Sequence, residues 1–140
     1  MSFKEAIRAT AKRLGFERVA FCAAEESPHA AYIDEWLAKG RNGTMDWLAK
    51  YPATRKDIRN RYNWARSFVM LSIDYPPELP GKLPAKSAIP NIARYARGAD
   101  YHETYKGRLK KLEDEIRKLG GPECQAMWYQ DTGAFLEREL

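Results

Sequence analysis

Residues 92–116 read IARYARGADYHETYKGRLKKLEDEI and join a crowded polar segment to the start of a long helix. Apolar residues recur at steps of four and three through the helical part and just beyond it: Tyr105, Leu109, Leu112, Ile116 and Leu119. This one-sided stripe predicts a helix that packs against a core. Asp100 and Glu103 form a capping pair at its predicted start, and residues 120–122, Gly-Gly-Pro, are a stop signal.

The segment ahead of this helix is rich in charged and aromatic residues that core packing does not require. Its members are Arg94, Tyr95, Arg97, Gly98, Asp100, Tyr101 and His102. A polar, aromatic-rich loop carried by a rigid helix is a common design for a binding site. A capped helix with a solvated loop would account for the same residues, so both interpretations stay open.

The composition is that of a folded domain with an excess of positive charge. With 140 residues, 44% of them hydrophobic, the chain can bury a core, and we expect one domain over residues 1–140. The net charge of +5 favours an anionic partner, nucleic acid first, although a basic surface can also serve solubility alone. No apolar run approaches the ~20 residues of a membrane span, so we expect a cytoplasmic chain that does not enter the membrane.

Local signals place the helices and the first strand ahead of residue 40. Ser2 and Glu5 form a capping box for a first helix that Gly15 ends. The apolar residues 17–23 follow as a strand. Residues 27–28, Ser-Pro, open a second helix with proline in its first turn.

Two further apolar runs predict strands. Residues 67–75 are the most apolar run of the chain, as expected for a strand covered on both faces. Residues 124–129 form a last strand, and another helix begins at Phe135 and Leu136. Helices alternating with about three strands indicate an α/β or α+β fold.

Residues 50–66 are markedly basic and carry interleaved aromatic side chains. The charged and aromatic members are Lys50, Tyr51, Arg55, Lys56, Arg59, Arg61, Tyr62, Trp64 and Arg66, with Asp57 as the one acid. Cations among aromatic rings suit phosphate contact combined with base stacking, so this segment is a candidate RNA-binding surface. The alternative is a solvated connection whose rings face the core.

Asp131 follows the predicted last strand and precedes the predicted last helix. Ligand sites in open α/β sheets tend to lie at such places, which makes this carboxyl group a functional candidate. A carboxylate there could also serve only as a helix cap.

The motifs that the sequence lacks exclude several kinds of site. It has neither G-x-x-x-x-G-K-[ST] nor G-x-G-x-x-G, and no Cys-x-x-Cys, so no ordinary zinc site or 4Fe-4S iron–sulfur cluster can form within this chain. His29 and His102 are its two histidines and cannot supply a His-rich metal site. Cys22 and Cys124 lie far apart in apolar runs and are expected to be buried free thiols.

These strings together resemble the N-terminal, cobalamin-binding domain of epoxyqueuosine reductases over nearly the whole chain. The matching strings are residues 94–102 (RYARGADYH) above all, then 131–133 (DTG), 136–138 (LER), 14–16 (LGF), 36–40 (WLAKG), 43–48 (GTMDWL), and Arg55 with Asp57 and Arg59. The resemblance implies an α+β, nitroreductase-like fold, similar to the cobalamin domains of reductive dehalogenases, with a small mixed sheet flanked by helices. It also implies reduction of the epoxide of epoxyqueuosine in the tRNA wobble position, the last step of queuosine synthesis.

The resemblance assigns roles to the matching positions. Asp131 falls at the family's proton donor, beside the cobalt face of cobalamin. Arg55 and Ala93 fall at cobalamin-contacting positions, where a small alanine would let the corrin approach. Arg94 and Arg97, with the basic tract, would meet the anticodon stem-loop of tRNA or the carboxamides of the cofactor. The other pocket candidates are Tyr95, Asp100, Tyr101 and His102.

The likeness does not extend to the whole family architecture, in which a ferredoxin-like domain with two four-cysteine clusters and then helical repeats follow. Neither is present in these 140 residues. We therefore expect a fragment or a module that does not turn over alone and depends on a cluster-bearing domain or chain for electrons. Two alternatives remain open: a non-catalytic tRNA- or RNA-binding module, and a flavin-dependent reductase, suggested only by the nitroreductase-like kinship.

Overall fold

The computed structural model describes residues 1–74, 93–96 and 99–137, with Arg94 described by its backbone alone. The predictions for Arg97 and Gly98 lie outside these residues, as does the continuation of the last predicted helix beyond residue 137. By its internal contacts the chain divides into two compact units. The first comprises Met1–Arg18 and Ser72–Trp128, and the second Val19–Leu71 and Tyr129–Leu140. A single domain over residues 1–140 stays a prediction.

Helices dominate the described part of the chain. The α-helices are α1 (Phe3–Arg13), α2 (Ala30–Ala38), α3 (Pro52–Lys56) and α4 (Tyr101–Gly120). The strands are β1 (Arg18–Ala23) and β2 (Ser67–Ser72). Short 3-10 turns lie at Asp46–Ala49, Ile58–Asn60 and Arg94–Ala96.

The first unit is built on the packing of α1 against α4. The capping box predicted for α1 is confirmed: Ser2 Oγ accepts from the Glu5 amide at 3.3 Å, and the Ser2 amide donates to Glu5 Oε2 at 2.6 Å. Gly15 follows the helix with a φ of 84°, the left-handed conformation expected after a helix end. The apolar stripes of the two helices supply the core of this unit: Ala6, Ile7, Ala11, Leu109 and Leu112.

Asp100 begins α4 as predicted, because its side chain accepts from the amide of His102 at 2.9 Å. Glu103 lies in the first turn, where its carboxylate is 3.8 Å from Lys106 Nζ. The predicted stripe holds in the middle of the helix and weakens at its end, where Leu119 is 45% exposed.

The two strands pair in an antiparallel sheet, since the Glu17 amide donates to the Ser72 carbonyl and the Ala24 amide donates to the Arg66 carbonyl. Within the described residues the sheet has these two strands, and residues 68–71 are half-buried. The prediction that this run is covered on both faces is therefore wrong. The α+β class is confirmed, because the helices are not interleaved with a parallel sheet.

Residues 124–129 form no strand, contrary to prediction. Arg117 on α4 donates from Nη2 to the carbonyl of Ala126 at 2.6 Å, and the Cys124 amide turns back to the Gly121 carbonyl. Individual hydrogen bonds therefore connect this segment to the end of α4, and the repeated backbone pairing of a β-sheet is not formed. Asp131 therefore does not follow a strand, and Phe135 and Leu136 do not begin a helix as predicted, because residues 131–136 are irregular.

Two smaller predictions need adjustment. Helix α2 begins at Ala30, beyond the predicted Ser-Pro start, and Ser27 Oγ accepts from the His29 amide just ahead of it. Cys22 and Cys124 are free thiols as predicted, but both are half-buried instead of buried.

Candidate functional site

In the first unit, four of the predicted pocket residues form a stacked cluster around the start of α4. The rings of Tyr101 and His102 stack at a centroid distance of 4.2 Å, and Tyr95 meets Tyr101 edge-on at 6.1 Å. Asp100 Oδ1 lies 2.8 Å from Nδ1 of His102. The hydrogen bonds from the His102 side chain and amide hold the pKa of the Asp100 carboxyl below its ordinary value.

This stacked cluster combines an accessible aromatic face with a fixed carboxylate–imidazole pair. Tyr95 is 54% exposed, and Asp100 is exposed as well. When Nδ1 of His102 donates to the carboxylate, Nε2 is left to accept from a ligand. The cluster can therefore stack on a planar group and hydrogen-bond at its edge.

Ala93 lies just ahead of the cluster and is exposed. Its carbonyl accepts from the amide of Ala96 at 3.0 Å, which closes the 3-10 turn. Its side chain is a single methyl group. The roles expected of Arg94 and Arg97 stay predictions, because the side chain of Arg94 and all of Arg97 lie outside the described residues.

In the second unit, Arg55 is placed on the short helix α3 with part of its guanidinium group buried. Its Nη2 donates to the carbonyl of Trp47 at 3.1 Å, which fixes the direction of the side chain. Its Nε is buried and has no hydrogen-bond partner among the described residues. A buried N–H without an acceptor is costly, so this group is suited to a ligand oxygen.

The basic segment divides into internally paired and outward-facing residues. Asp57 holds Arg59 through bonds to both Nε and Nη2, the latter at 2.7 Å, and Lys56 lies 2.5 Å from Asp34. The side-chain hydrogen bond from Arg59 lowers the pKa of Asp57, so this pair stays ionised at neutral pH. These two cations are therefore less available to phosphates than the sequence predicts.

Tyr51 is the most exposed aromatic side chain of this segment. It is 63% exposed and has a φ of 56°, an uncommon left-handed conformation for an aromatic residue. The Arg61 guanidinium lies 5.6 Å from the ring centre of Tyr51 and 5.5 Å from that of Tyr62. Trp47 is 56% exposed. Each of the two interpretations of this segment, an aromatic binding surface or rings that face the core, thus holds for part of it. Tyr51 is exposed, whereas Tyr62 and Trp64 are half-buried.

Asp131 is exposed and belongs to an irregular loop of the second unit. Its φ of 55° lies in the left-handed region, which costs energy for a residue with a side chain although aspartate tolerates it better than most. Partial burial of the carboxyl group, followed by the negative charge of Asp131, raises the pKa of Glu137. The structure thus makes these two carboxyl groups electrostatic neighbours.

The hydroxyl pair of Tyr62 and Tyr129 is a feature that sequence reasoning missed. The two hydroxyl groups share a short hydrogen bond, although the residues lie 67 positions apart. Burial and this bond raise the pKa of Tyr129 to about 12. No local signal in the sequence links the two tyrosines.

Residues 1–74, 93–96 and 99–137 contain no group of three or more His, Cys, Asp or Glu side chains that could hold a metal ion. Among the helices in this part of the chain, none is both long and apolar enough to cross a membrane.

Comparison with known proteins places the chain in a family. The family model described as "Epoxyqueuosine reductase QueG, DUF1730" matches residues 55–132, a range that begins at Arg55 and includes Asp131. The epoxyqueuosine reductase of Aliivibrio fischeri is 33% identical over 96% of this chain and 36% of its own length. The one of Vibrio cholerae is 33% identical over 96% of this chain and 37% of its own length.

A solved structure agrees with these relatives. The epoxyqueuosine reductase of Streptococcus thermophilus matches 97% of this chain and 36% of its own, with a TM-score of 0.78 and 25% sequence identity. The chain spans little more than a third of the length of these relatives. The family resemblance predicted from the sequence is confirmed, and the chain belongs to the epoxyqueuosine reductase family.

Proposed function

We propose that this chain is the cobalamin-binding, substrate-facing portion of an epoxyqueuosine reductase that acts on tRNA in the last step of queuosine synthesis. The observation that carries the proposal is the family match over residues 55–132, which includes Arg55, the RYARGADYH string and Asp131. Because the chain spans about a third of its relatives, we expect no turnover from it alone. Electrons would come from a cluster-bearing domain or chain, and the reaction would take place in the cytoplasm.

Two residues, each considered within its own unit, have the chemistry to contact a cobalamin ligand. Arg55 has a buried Nε–H without an acceptor among the described residues, and a carboxamide or phosphate oxygen of the cofactor would satisfy it. Ala93 offers an exposed small side chain against which a corrin could lie. When bound, cobalamin would supply the reducing chemistry needed to open the epoxide.

Asp131 is the proposed proton donor. Opening of an epoxide leaves an oxygen that gains negative charge, and a carboxylic acid within hydrogen-bond reach lowers the barrier by protonating it. The exposed Asp131 can meet a bound substrate directly. The neighbouring Glu137, whose pKa is raised, adds a second carboxyl group from which a proton could be replenished.

Titration of cob(II)alamin into the chain tests the proposal by the change in the visible spectrum. We expect Arg55→Ala to weaken binding at least about tenfold, since it removes a hydrogen bond to a buried charged group. Arg66→Ala is the matched control, because its Nη1 donates to the carbonyls of Asn63 and Ala65. A chimera in which the chain replaces its counterpart in the Aliivibrio fischeri enzyme is titrated in the same way. If neither the chain nor the chimera changes the spectrum at high micromolar cobalamin, the proposal is rejected.

A second candidate function is a non-catalytic RNA-binding module. The observation that favours it is the contact between the exposed Tyr51 ring and the Arg61 guanidinium, together with the exposed side chain of Trp47. Bases stack on such rings while the cation contacts phosphate. This module would bind an anticodon stem-loop RNA with no requirement for cobalamin.

Salt dependence of RNA binding tests this second candidate. Each phosphate neutralised contributes roughly 0.7–0.9 to the slope of log affinity against log salt, so Arg61→Ala should flatten that slope by about one contact. Arg59→Ala is the control, because Arg59 is already paired with Asp57. RNA affinity that is undetectable at low salt rules the candidate out.

A further inference from the structure

The loop that carries Asp131 is closed at its base by two aromatic rings. Tyr129 and Phe135 lie on either side of Asp131 in the chain, and their rings meet edge to face with centroids 5.3 Å apart and planes at 83°. The five residues between them therefore form a closed loop within the second unit. Such ring contacts are favourable beyond the area they bury.

Each of the two rings is also attached to another part of the same unit. The Tyr129 hydroxyl is hydrogen-bonded to that of Tyr62, whose own ring lies against Trp64 at 5.4 Å. The Phe135 ring contacts Phe68 of β2 at a centroid distance of 5.8 Å. The two ends of the loop thus contact two different parts of the second unit: Tyr129 contacts Tyr62, and Phe135 contacts β2.

Gly133 makes the tight closure possible. A Cβ atom placed on Gly133 would lie 2.1 Å from two ring carbons of Phe135, far inside van der Waals contact. The ring therefore occupies the space that any side chain at this position would need. The Asp-Thr-Gly string requires glycine because Phe135 folds back over it.

We propose that Tyr62, Tyr129, Gly133 and Phe135 form an aromatic clamp that positions Asp131. A left-handed backbone at a residue with a side chain persists when its surroundings over-determine it, and the clamp supplies that constraint. Its four members are positioning residues, since they act on the direction of the carboxyl group through the backbone of the loop. Their relevance to the reaction rests on the proposed function of Asp131, whereas the clamp itself does not.

NMR spectroscopy of the isotope-labelled chain tests the clamp without cobalamin or RNA. A positive φ brings the Hα and amide hydrogen of Asp131 close together, which gives a strong intraresidue NOE. We expect this NOE to be lost in Tyr129→Leu, which removes the ring contact and the hydroxyl bond, and retained better in Tyr129→Phe, which keeps the ring. The matched control is Leu112→Ala, a core truncation in the first unit, where the residue is 3% exposed.

The outcomes separate positioning from general loss of stability. A strong Asp131 NOE in folded Tyr129→Leu overturns the proposal, and so does an equal loss of the NOE in Leu112→Ala. If Tyr129→Leu does not fold, Tyr129→Phe decides in its place through the same NOE, since it removes only one hydroxyl group. An NOE weaker than that of the parent chain then supports the clamp, and an unchanged one overturns it.

Activity in the Aliivibrio fischeri chimera separates this inference from the proposed function. Misplacement of a catalytic group by about an ångström can cost up to roughly 100-fold, so Tyr129→Phe should lower the single-turnover rate while cobalamin affinity stays unchanged. An Asp131→Asn chimera with the parent rate would remove Asp131 from the mechanism and leave the NMR result on the clamp intact. A Tyr129→Phe chimera with the parent rate would overturn the positioning role.

Discussion

The hydroxyl group of Tyr129 should make the free energy of unfolding fall at alkaline pH. Burial, then the hydrogen bond with Tyr62, raise the pKa of Tyr129 from 10.0 to about 12. The unfolded chain therefore releases this proton first. The stabilisation is fully present below pH 10.0 and is lost as the pH rises through about 12.

The shift sets an upper limit to the effect. A difference of two pKa units corresponds to about 2.7 kcal/mol. Tyr129 is only half-buried, so solvent screening reduces the expected contribution to about 1 kcal/mol. Replacement by phenylalanine should also cost about 1 kcal/mol near neutral pH, because the Tyr62 hydroxyl loses its partner.

Urea unfolding of the parent chain and of Tyr129→Phe, followed from neutral pH to beyond pH 11, measures both the cost of the substitution near neutral pH and the stabilisation lost at alkaline pH. Lysine side chains titrate in the same range in both proteins, so the informative quantity is the difference between the two curves. That difference should shrink by about 1 kcal/mol above pH 10.0. Tyr105→Phe, on α4 of the first unit, is the control and should track the parent chain. Parallel curves for the parent and Tyr129→Phe would refute the reasoning.

Three further predictions address the loop and its neighbours. In the chimera, Asp131→Asn should lower turnover by roughly 100-fold to 10,000-fold because the proton donor is lost, while the melting temperature stays unchanged because asparagine keeps the shape and tolerates the left-handed backbone. Turnover equal to that of the parent chimera would contradict this prediction. Gly133→Ala should lower the free energy of unfolding by about 1–3 kcal/mol because it displaces Phe135, whereas the control Gly107→Ala, which has open space around it in α4, should raise it by about 0.5–1 kcal/mol. Equal denaturant midpoints for the two variants would contradict the predicted clash. Glu137→Gln should raise the melting temperature at pH 7 and leave it unchanged below about pH 4, because the raised pKa of Glu137 means that its ionised form is disfavoured in the folded chain. A lower melting temperature of this variant at pH 7 would contradict the prediction.

The parts of the fold that could be predicted are those with short-range causes. The capping box of Ser2 and Glu5 and the cap of α4 by Asp100 each depend on groups within three residues of one another. Their hydrogen bonds form as soon as the helix does, whatever the rest of the chain contributes. A local sequence string therefore carries enough information to locate them.

The failed strand at residues 124–129 shows the limit of such strings. Its apolar residues have strand character, but a strand exists only where a second backbone offers a ladder. Here the carbonyl of Ala126 is taken by Arg117 of α4. The competing partner lies nine residues away in a helix, and no periodicity within the run itself could reveal it.

Asp131 was a candidate in the sequence because of a strand end and a helix start, but residues 124–129 form no strand and residues 131–136 form no helix. What the structure offers instead is a left-handed residue in a loop closed by Tyr129 and Phe135 and held by Tyr62. The tyrosine pair spans 67 positions, so its formation depends on the folded unit as a whole. Residue types can mark a carboxyl group as chemically suitable, but its direction is fixed by contacts that arise only after the chain has folded. For this reason, the variants that separate a reactive acid from an ordinary exposed aspartate lie in the rings of the clamp as much as at Asp131.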